Sequence, residues 1–299
     1  MVAARQILSM KSLSYAIVTP SFRLDMQRCK FLVESVQRWV ASDVRHYLVV
    51  DRRDVPMFKP MISSRTELLV VEQIIPWWLM RIPGFRRFWF SLRTRPVKNW
   101  ILQQIVKLSV PGAVSEDVLL YADSDMFFIA PLDPRTFERD GKVPLLFNTG
   151  QRGLIPSNDA WQAVAAKLLG LPVEQDSDIN YVGNVIWWRR ENVLAALERI
   201  QEHMGKGWQR AIAPLAGFSE YILYGVYCHR VLGAASGHWY DDVNRTLTHW
   251  GTTPLDINAL EALSAERGPE IHSVMVSAKS RTPIADIRQV FREPVPGQR

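Results

Sequence analysis

Short apolar runs alternate with amphipathic segments through the first half of the chain, and this alternation limits the folds that the sequence can adopt. The apolar runs predict β-strands at Tyr15–Thr19, Tyr47–Val50, Leu68–Val71, Val118–Ala122 and Leu145–Phe147. Apolar residues recur at helical spacing between the first two strands and again before the fourth, which predicts helices over Asp25–Val40 and Asn99–Leu108. This order predicts an α/β fold in which helices cover a central, mostly parallel sheet.

The second half of the chain is less regular. It predicts helices at Asn158–Leu169, Glu191–Met204 and Ser219–Leu232, with a strand over Asn184–Trp188. After His238 the pattern weakens, and Gly251–Pro254 and Pro294–Arg299 have the composition of a loop and a tail. With 299 residues and 47% hydrophobic content, the simplest organisation is one α/β unit with two halves, residues 1–150 and 151–299.

Composition and targeting signals favour a cytoplasmic protein. Cys29 and Cys228 lie far apart without CxxC spacing, so we expect buried thiols in a reducing cytosol rather than a disulfide framework or a thiolate zinc site. Lys11 and Ser12 interrupt the region where a secretory signal would need its apolar core. No run approaches the roughly 20 apolar residues of a spanning helix, so no membrane crossing is expected.

The net charge of +6 and the pI near 9.4 favour anionic partners. Nucleotide phosphates, nucleic acids and acidic lipid headgroups all meet that description. No zinc finger, RNP-like motif or helix-turn-helix pattern is visible, so nucleic acid is not expected among the partners.

The most informative segment is the apolar run Val118–Ala122, which ends in Asp123, Ser124 and Asp125. In an open α/β sheet, ligands bind outside the carboxyl ends of the strands, and such a pair of carboxylates would reach that crevice. Hard oxygen ligands suit Mg²⁺ or Mn²⁺, which take their remaining ligands from substrate phosphates and water. The alternative is a strand-end turn, in which Asp and Ser are common.

The strand that ends in YADSDMFFIAPLD, with the preceding NWILQQIVKL, resembles the donor half of bacterial GT-A glycosyltransferases. The opening YAIVTPSFRLDMQRCKFLVESVQRW and the later GFSEYILYGVY are similar to the same group, associated with capsule and surface polysaccharides. The resemblance covers roughly residues 15 to 250. It implies a GT-A-like, Rossmann-related fold in which residues 1–150 bind a nucleotide-sugar donor and residues 151–299 bind the acceptor.

By this resemblance, Asp123 and Asp125 hold the cation, with Ser124 between them beside the donor. The loop after the first strand should approach the nucleotide through four residues: Thr19, Pro20, Ser21 and Asp25. Asp51 would contact the base or ribose, with an ordinary strand-end turn as the alternative. Lys107 would face a phosphate, or else lie on the helix surface.

The resemblance also implies a general base that takes the proton of the acceptor hydroxyl. Glu220 is the candidate, because Ser219 is a plausible N-cap that would fix Glu220 in the first helical turn. Acidic residues are favoured in any first turn, which is the alternative explanation. The resemblance also implies a histidine in the metal shell. The candidates are His238, His249 and His272; THWG favours His249, and His272 is the second choice.

Two further segments suggest contacts with ligands. Gly183 and Asn184 would let the backbone approach a substrate, and one of the tryptophans Trp187 and Trp188 should reach the cleft while the other is core. Residues 77–100 interleave basic and aromatic side chains, which suits peripheral contact with anionic lipid at the inner face of the membrane. An insertion that caps the core with snorkelling arginines is the alternative.

Taken with the resemblance, these residues lead us to expect a metal-dependent glycosyltransferase, in which Mn²⁺ or Mg²⁺ assists transfer from a UDP-linked sugar. The acceptor is expected to be a hydroxyl of a surface glycan or a lipid-linked intermediate, and Glu220 as base implies inversion. A nucleotidyltransferase would need a glycine-rich phosphate loop after the first strand, and TPSFRLD has no glycine. A non-catalytic carbohydrate-binding or membrane-associated scaffold is the other alternative.

Overall fold

The computed structural model describes residues 12–82, 88–151, 154, 157–174 and 178–291. Its strands are β1 (Tyr15–Pro20), β2 (Arg45–Val50), β3 (Thr66–Val70), β4 (Leu79–Met80), β5 (Phe88–Ser91), β6 (Val97–Lys98), β7 (Val118–Tyr121), β8 (Met126–Phe128), β9 (Val143–Leu146), β10 (Ile186–Arg189), β11 (His238–Asp241), β12 (Thr246–His249) and β13 (Ser273–Val276). Its helices are α1 (Met26–Trp39), α2 (Val55–Phe58), α3 (Val71–Ile74), α4 (Asn99–Ser109), α5 (Asn158–Leu169), α6 (Arg190–Met204), α7 (Trp208–Ile212), α8 (Glu220–Val226), α9 (Ile257–Ala265) and α10 (Ile284–Phe291).

The central sheet has five strands in the order β10-β7-β1-β2-β3. β1 pairs in parallel with β2 and with β7, and β2 pairs in parallel with β3. β10 joins the edge in the antiparallel direction, with Ile186 opposite Tyr121. The prediction of an α/β protein with a mostly parallel central sheet is confirmed.

Both faces of the central sheet are covered by other parts of the protein. Successive residues of a strand point to opposite sides, and in β1 both sets of side chains are buried. Ala16 and Val18 of β1 belong to a buried cluster that contains residues of α4, α5, α6 and α8. Tyr15 and Ile17 belong to a second cluster with Leu32 of α1. Burial on both faces explains why the parallel strands are apolar throughout rather than alternating. The first cluster draws on both halves of the chain.

Two predicted elements differ from the structure. The predicted strand Leu145–Phe147 corresponds to β9, which pairs with β11 and lies outside the central sheet. The predicted helix Ser219–Leu232 consists of α8 followed by a π-helical segment, Tyr227–Leu232. Apolar periodicity does not show which sheet a strand joins, nor does it distinguish an α-helical turn from a wider π-helical turn.

The segment after His238 is more ordered than its weak pattern predicts. β12 and β13 form a three-stranded sheet with β8, in the order β12-β13-β8. α9 and α10 cover this sheet through a separate buried cluster that includes Leu260 and Ile287. Since β8 directly follows Asp125, this C-terminal sheet supports one side of the carboxylate pair.

Several other expectations concern the chain as a whole. Cys29 and Cys228 are free and buried, as predicted. Within the described ranges, no helix has both the length and the apolar character that crossing a membrane requires. The N-terminal residues that precede Ser12 and the predicted tail at Pro294–Arg299 lie outside the described residues. The loop predicted at Gly251–Pro254 has neither helix nor strand, as predicted.

Candidate functional site

The carboxyl ends of β1 and β7 lie at the point where the connections of the central sheet change side. From β1 the chain continues through β2 to β3 on one side, whereas β7 lies on the other side of β1. Loops that leave neighbouring strands in opposite directions open a crevice, which is where open α/β sheets bind ligands. Asp25 follows β1, and Asp123 and Asp125 follow β7. Three carboxyl groups therefore belong to the loops that border this crevice.

Hydrogen bonds hold the two loops together. The Ser124 hydroxyl donates to Oδ2 of Asp25 over 3.4 Å. The backbone N–H of Met126 donates to the carbonyl of Asp123 at 3.1 Å, which closes the turn. Oδ2 of Asp125 accepts from the backbone N–H of Ala278 at 2.9 Å, so the segment after β13 fixes the orientation of this carboxylate. The sequence pattern gave no sign of this last contact.

The electrostatics of the crevice are strongly negative. Burial raises the pKa of Asp125 to about 6, and the charge of Asp123 adds to the shift. Burial also raises the pKa of Asp25 above its usual value. Arg28 opposes both shifts, and its guanidinium is held by the carbonyls of Val276 at 2.9 Å and Thr282 at 2.8 Å.

Lys107 lies inside the site and not on the helix surface, so the surface alternative is wrong. Its side chain is 4% exposed, and Nζ lies 3.0 Å from Oδ1 of Asp123 and 3.1 Å from Oε1 of Glu220. The ammonium also donates to the Tyr221 hydroxyl at 2.7 Å. Burial by itself would lower the pKa of Lys107, but Asp123, Tyr221 and Glu220 more than offset it and raise the pKa well above the usual value.

Glu220 begins α8 as predicted, with the Ser219 hydroxyl as N-cap, accepting from the N–H of Ile222 at 3.4 Å. Its backbone N–H donates to Oε1 of Gln104 at 3.0 Å, which ties α8 to α4. Burial raises the pKa of the Glu220 carboxyl, and the Lys107 ammonium opposes that shift. Glu220 and Asp123 are thus joined through one buried cation, a connection between distant segments that no motif in the sequence indicates.

The charges of this site fit a divalent cation. Four carboxyl groups, those of Asp25, Asp123, Asp125 and Glu220, face two cationic side chains, Arg28 and Lys107. Oδ1 of Asp123 is buried and accepts no hydrogen bond from any residue that the structure describes, although Lys107 is its ion-pair partner. Hard, incompletely satisfied carboxylate oxygens are ligands that Mg²⁺ and Mn²⁺ accept.

The two favoured histidines do not join the aspartates. Nε2 of His249 lies 3.1 Å from the carbonyl of Thr253, and Nδ1 of His272 lies 2.9 Å from the carbonyl of Pro131. Among the described residues, no group of three or more His, Cys, Asp or Glu side chains is close enough to hold one ion. The prediction that His249 completes the metal shell therefore has no support in this geometry. Only the backbone of His249 approaches the site, where its carbonyl accepts a hydrogen bond from the N–H of Ser277 at 3.0 Å.

The loop after β1 begins later than predicted. Thr19 and Pro20 are buried within β1, and the Thr19 hydroxyl lies 2.9 Å from Nε2 of the buried His46. The Thr19 side chain therefore faces the protein interior instead of a nucleotide, because the strand extends to Pro20. Ser21 is half-buried, and its N–H donates to the carbonyl of Val49 at 3.0 Å, so the exposed part of the loop starts at Phe22.

Asp51 lies at the carboxyl end of β2, where the sequence places it. Its Oδ2 lies 3.0 Å from Arg81 and 3.4 Å from Arg53. Burial raises its pKa above the usual value, while Arg81 opposes the shift. The Arg81 ion pair joins Asp51 to the segment after β3, whereas the Arg53 ion pair is local. Contact of Asp51 with a base or ribose stays a prediction.

A cavity of about 280 Å³ lies beside the start of β10. Gly183 and Asn184 line it, and the Asn184 amide donates to the Thr248 hydroxyl at 3.2 Å. A Cβ at Gly183 would lie 2.5 Å from Cδ2 of Leu146, so any larger residue here would require the Leu146 side chain to move. Val185, next in the wall, has a φ of 50°, which is a strained conformation for a β-branched residue.

The paired tryptophans divide nearly as predicted. Trp188 is 0% exposed and stacks on Tyr224 at 5.2 Å between ring centroids, so it is core. Trp187 is 9% exposed and lines the cavity. Because Ile186 pairs with Tyr121, two residues before Asp123, the cavity lies at the same end of β7 as the carboxylate crevice.

Reasoning from the sequence missed Arg28, Tyr221 and the backbone of Ala278 as parts of the site. Arg28 lies three residues after Asp25, one helical turn away, and Tyr221 directly follows Glu220. The spacing of Asp25 and Arg28 is a usable signal for Arg28, whereas adjacent residues of a helix point in different directions, so Tyr221 has no such signal. The Ala278 N–H has no such signal, because its position depends on how the C-terminal sheet folds back.

Comparison with known proteins shows the family but no activity. Among curated proteins, none matches the sequence. A family model described as a family of unknown function, DUF6492, matches residues 8–255. This match includes the crevice, α4 and α8, and extends over most of the 299 residues. The chain therefore belongs to the DUF6492 family of unknown function.

Proposed function

We propose that this protein is a divalent-cation-dependent glycosyltransferase with a GT-A-like fold, which uses a nucleoside diphosphate sugar as donor. The observation that carries the proposal is the surplus of carboxylates at the change of connection between β1 and β7. Four carboxyl groups and two cationic side chains leave a negative site at the place where open α/β sheets bind ligands. A divalent cation would neutralise it.

Asp123 and Asp125 would hold Mg²⁺ or Mn²⁺, with the remaining ligands from diphosphate oxygens and water. The bound cation would offset the charge that develops on the departing nucleoside diphosphate. The Ala278 N–H orients the Asp125 carboxylate, and the Lys107 ammonium orients that of Asp123. Ser124 and Asp25 join the loops at the entrance.

The acceptor would enter from the cavity beside β10. Its walls include Trp187, Asn184 and Arg245, which offer an aromatic edge, an amide and a guanidinium to a sugar ring. In this proposal, Glu220 accepts the proton of the attacking acceptor hydroxyl, and the donor carbon is inverted. Lys107 would keep Glu220 ionised before the acceptor arrives, since the two groups lie 3.1 Å apart.

Calorimetry with a panel of nucleoside diphosphates and UDP-sugars, with and without Mn²⁺, tests the donor site. We expect binding of at least one nucleotide that requires the metal, and loss of the metal-dependent part in Asp123→Asn and Asp125→Asn. Asp159→Asn is the matched control, because Asp159 is an exposed aspartate in the first turn of α5. Equal metal-dependent affinity in all three variants would overturn the proposal.

Glu220→Gln separates the base from the donor site. This variant keeps the size of the side chain and should bind the nucleotide nearly as tightly as the wild type. Transfer to an acceptor should slow by a factor of about 10² or more, because general base catalysis contributes roughly that much. Full transferase activity in Glu220→Gln would show that Glu220 is not the general base. That result would favour a reaction in which the donor carbon retains its configuration.

A further inference from the structure

The segment between β3 and α4 carries an apolar surface that the fold does not cover. β4, β5 and β6 form a small antiparallel sheet in the order β4-β5-β6. We call the exposed apolar residues of this segment and of the first turn of α4 the aromatic surface; its described members are Trp77, Met80, Ile82, Phe90, Leu92 and Trp100. Trp77 is 68% exposed and Leu92 is 54% exposed.

The inner face of the small sheet already completes the core. Leu79, Trp89 and Val97 are 3%, 1% and 0% exposed and belong to the main buried cluster. Met80 and Phe90 pair across the sheet and project from the other face. Antiparallel sheets with one buried face normally present polar residues on the other. Capping the core, the alternative explanation for this segment, accounts for the inner face and leaves the outer face unexplained.

The segment that carries the aromatic surface is basic and contains no acidic residue of its own. Residues 73–115 contain no Asp or Glu, and residues 77–100 contain six basic residues. Arg81 is neutralised by Asp51 at 3.0 Å, but Arg93, Arg95 and Lys98 are exposed and form no ion pair with any described residue. The Arg93 guanidinium lies over the Trp77 ring, 5.5 Å from its centroid, so this exposed arginine directly adjoins the most exposed residue of the aromatic surface.

We propose that the aromatic surface docks this protein on a membrane containing anionic lipid. Exposed Trp, Phe and aliphatic side chains enter the boundary between headgroups and acyl chains, while adjacent arginines bind lipid phosphates. A second copy of the chain would bring two unpaired basic clusters together, which like-charge repulsion opposes. A nucleic acid would satisfy the arginines but would leave the aliphatic Met80, Ile82 and Leu92 without a partner.

Docking in this orientation would bring the membrane to the edge of the sheet that carries the crevice. Arg81 joins the segment to Asp51 at the carboxyl end of β2. Trp100 lies in the first turn of α4, and Lys107 lies near the end of the same helix. A lipid-linked acceptor would then reach the site from the bilayer. The docking itself is independent of the proposed transferase activity and is measured without donor or metal.

Cosedimentation with vesicles tests the docking. We expect the full chain to bind vesicles of equimolar phosphatidylcholine and phosphatidylglycerol. It should bind vesicles of phosphatidylcholine alone weakly or not at all. Added salt should release the protein from the anionic vesicles. Trp77→Ser with Leu92→Ser should lower the partition coefficient about tenfold or more, since both side chains lose their burial in lipid. Arg95→Gln with Lys98→Gln should lower it about fivefold for each charge removed.

The matched control is Lys59→Gln with Ile62→Ser. Both residues are exposed. They precede β3, at the end of the central sheet opposite to the carboxyl ends of its parallel strands. This control should bind vesicles as the wild type does, and circular dichroism checks that every variant is folded. Equal binding by the control and the two test variants would overturn the proposal. So would a dimer in light scattering that the Trp77 variant abolishes, or binding of an oligonucleotide without binding of vesicles.

Discussion

Replacing Lys107 with methionine tests the electrostatic centre of the site. Lys107→Met keeps most of the side-chain length and removes the ammonium that lies 3.1 Å from Glu220. Glu220 is 6% exposed on its side chain, so its carboxylate would be left buried without its ion-pair partner. Removing one partner of a buried pair costs about 3–5 kcal/mol, a large part of a typical stability of about 5–15 kcal/mol. This figure is for the Glu220 pair alone, because the Asp123 side chain is 43% exposed and water screens part of its ion pair with Lys107.

Urea unfolding followed by tryptophan fluorescence measures this loss. In the double variant Lys107→Met with Glu220→Gln, no buried charge is left alone, so we expect about 1–3 kcal/mol to be recovered relative to the sum of the single effects. Lys167→Met is the control, because Lys167 is an exposed lysine in the last turn of α5. It should change the stability by less than about 0.5 kcal/mol. Additive single effects, or a Lys107 variant as stable as this control, would refute the reasoning.

Two further predictions concern stability. Gly225→Ala should destabilise the fold by about 3 kcal/mol or more, because a Cβ there would lie 2.1 Å from Cγ of the Tyr181 ring. Gly112→Ala is the control, because no other part of the structure lies within 4 Å of its Cβ position, and it should be neutral or slightly stabilising in unfolding assays. Equal losses of stability in Gly225→Ala and Gly112→Ala would contradict the packing argument. Burial lowers the pKa of His238 to about 4, below an unfolded value of about 6.5, so the unfolded chain binds more protons and stability falls as the pH drops from 6.5 towards 4. Between pH 7.5 and pH 5 the wild type should lose about 2 kcal/mol more than His238→Gln, and identical pH profiles would contradict this prediction.

The first half of the fold could be predicted because its elements are local in sequence. α4 matches its predicted range within one residue, since its buried face repeats at helical spacing. The same holds for α5 in the second half of the chain. The position of Asp123 and Asp125 also follows from the sequence, because a buried strand that stops at two charges must open towards solvent or a ligand. Parallel pairing then brings the end of β1 beside the end of β7.

Other parts of the site depend on contacts that no local pattern encodes. The Asp125–Ala278 hydrogen bond joins residues 153 positions apart, and it forms only because β13 lies antiparallel to β8. The burial of Lys107 could not be predicted from its helix, whose last turn would suit an exposed lysine equally well. The sequence placed β9 in the main sheet because an apolar run does not specify its partner strand. Its partner, β11, follows 91 residues later.

The most direct test of the cation site is anomalous diffraction at the manganese edge from crystals grown with Mn²⁺ and UDP. We predict one peak within coordination distance of both the Asp123 and Asp125 carboxylates, with diphosphate oxygens on its open side. Crystals of Asp125→Asn should lack the peak under the same conditions. Ordered UDP bound elsewhere in the wild type, with no manganese between these two carboxylates, would contradict the account.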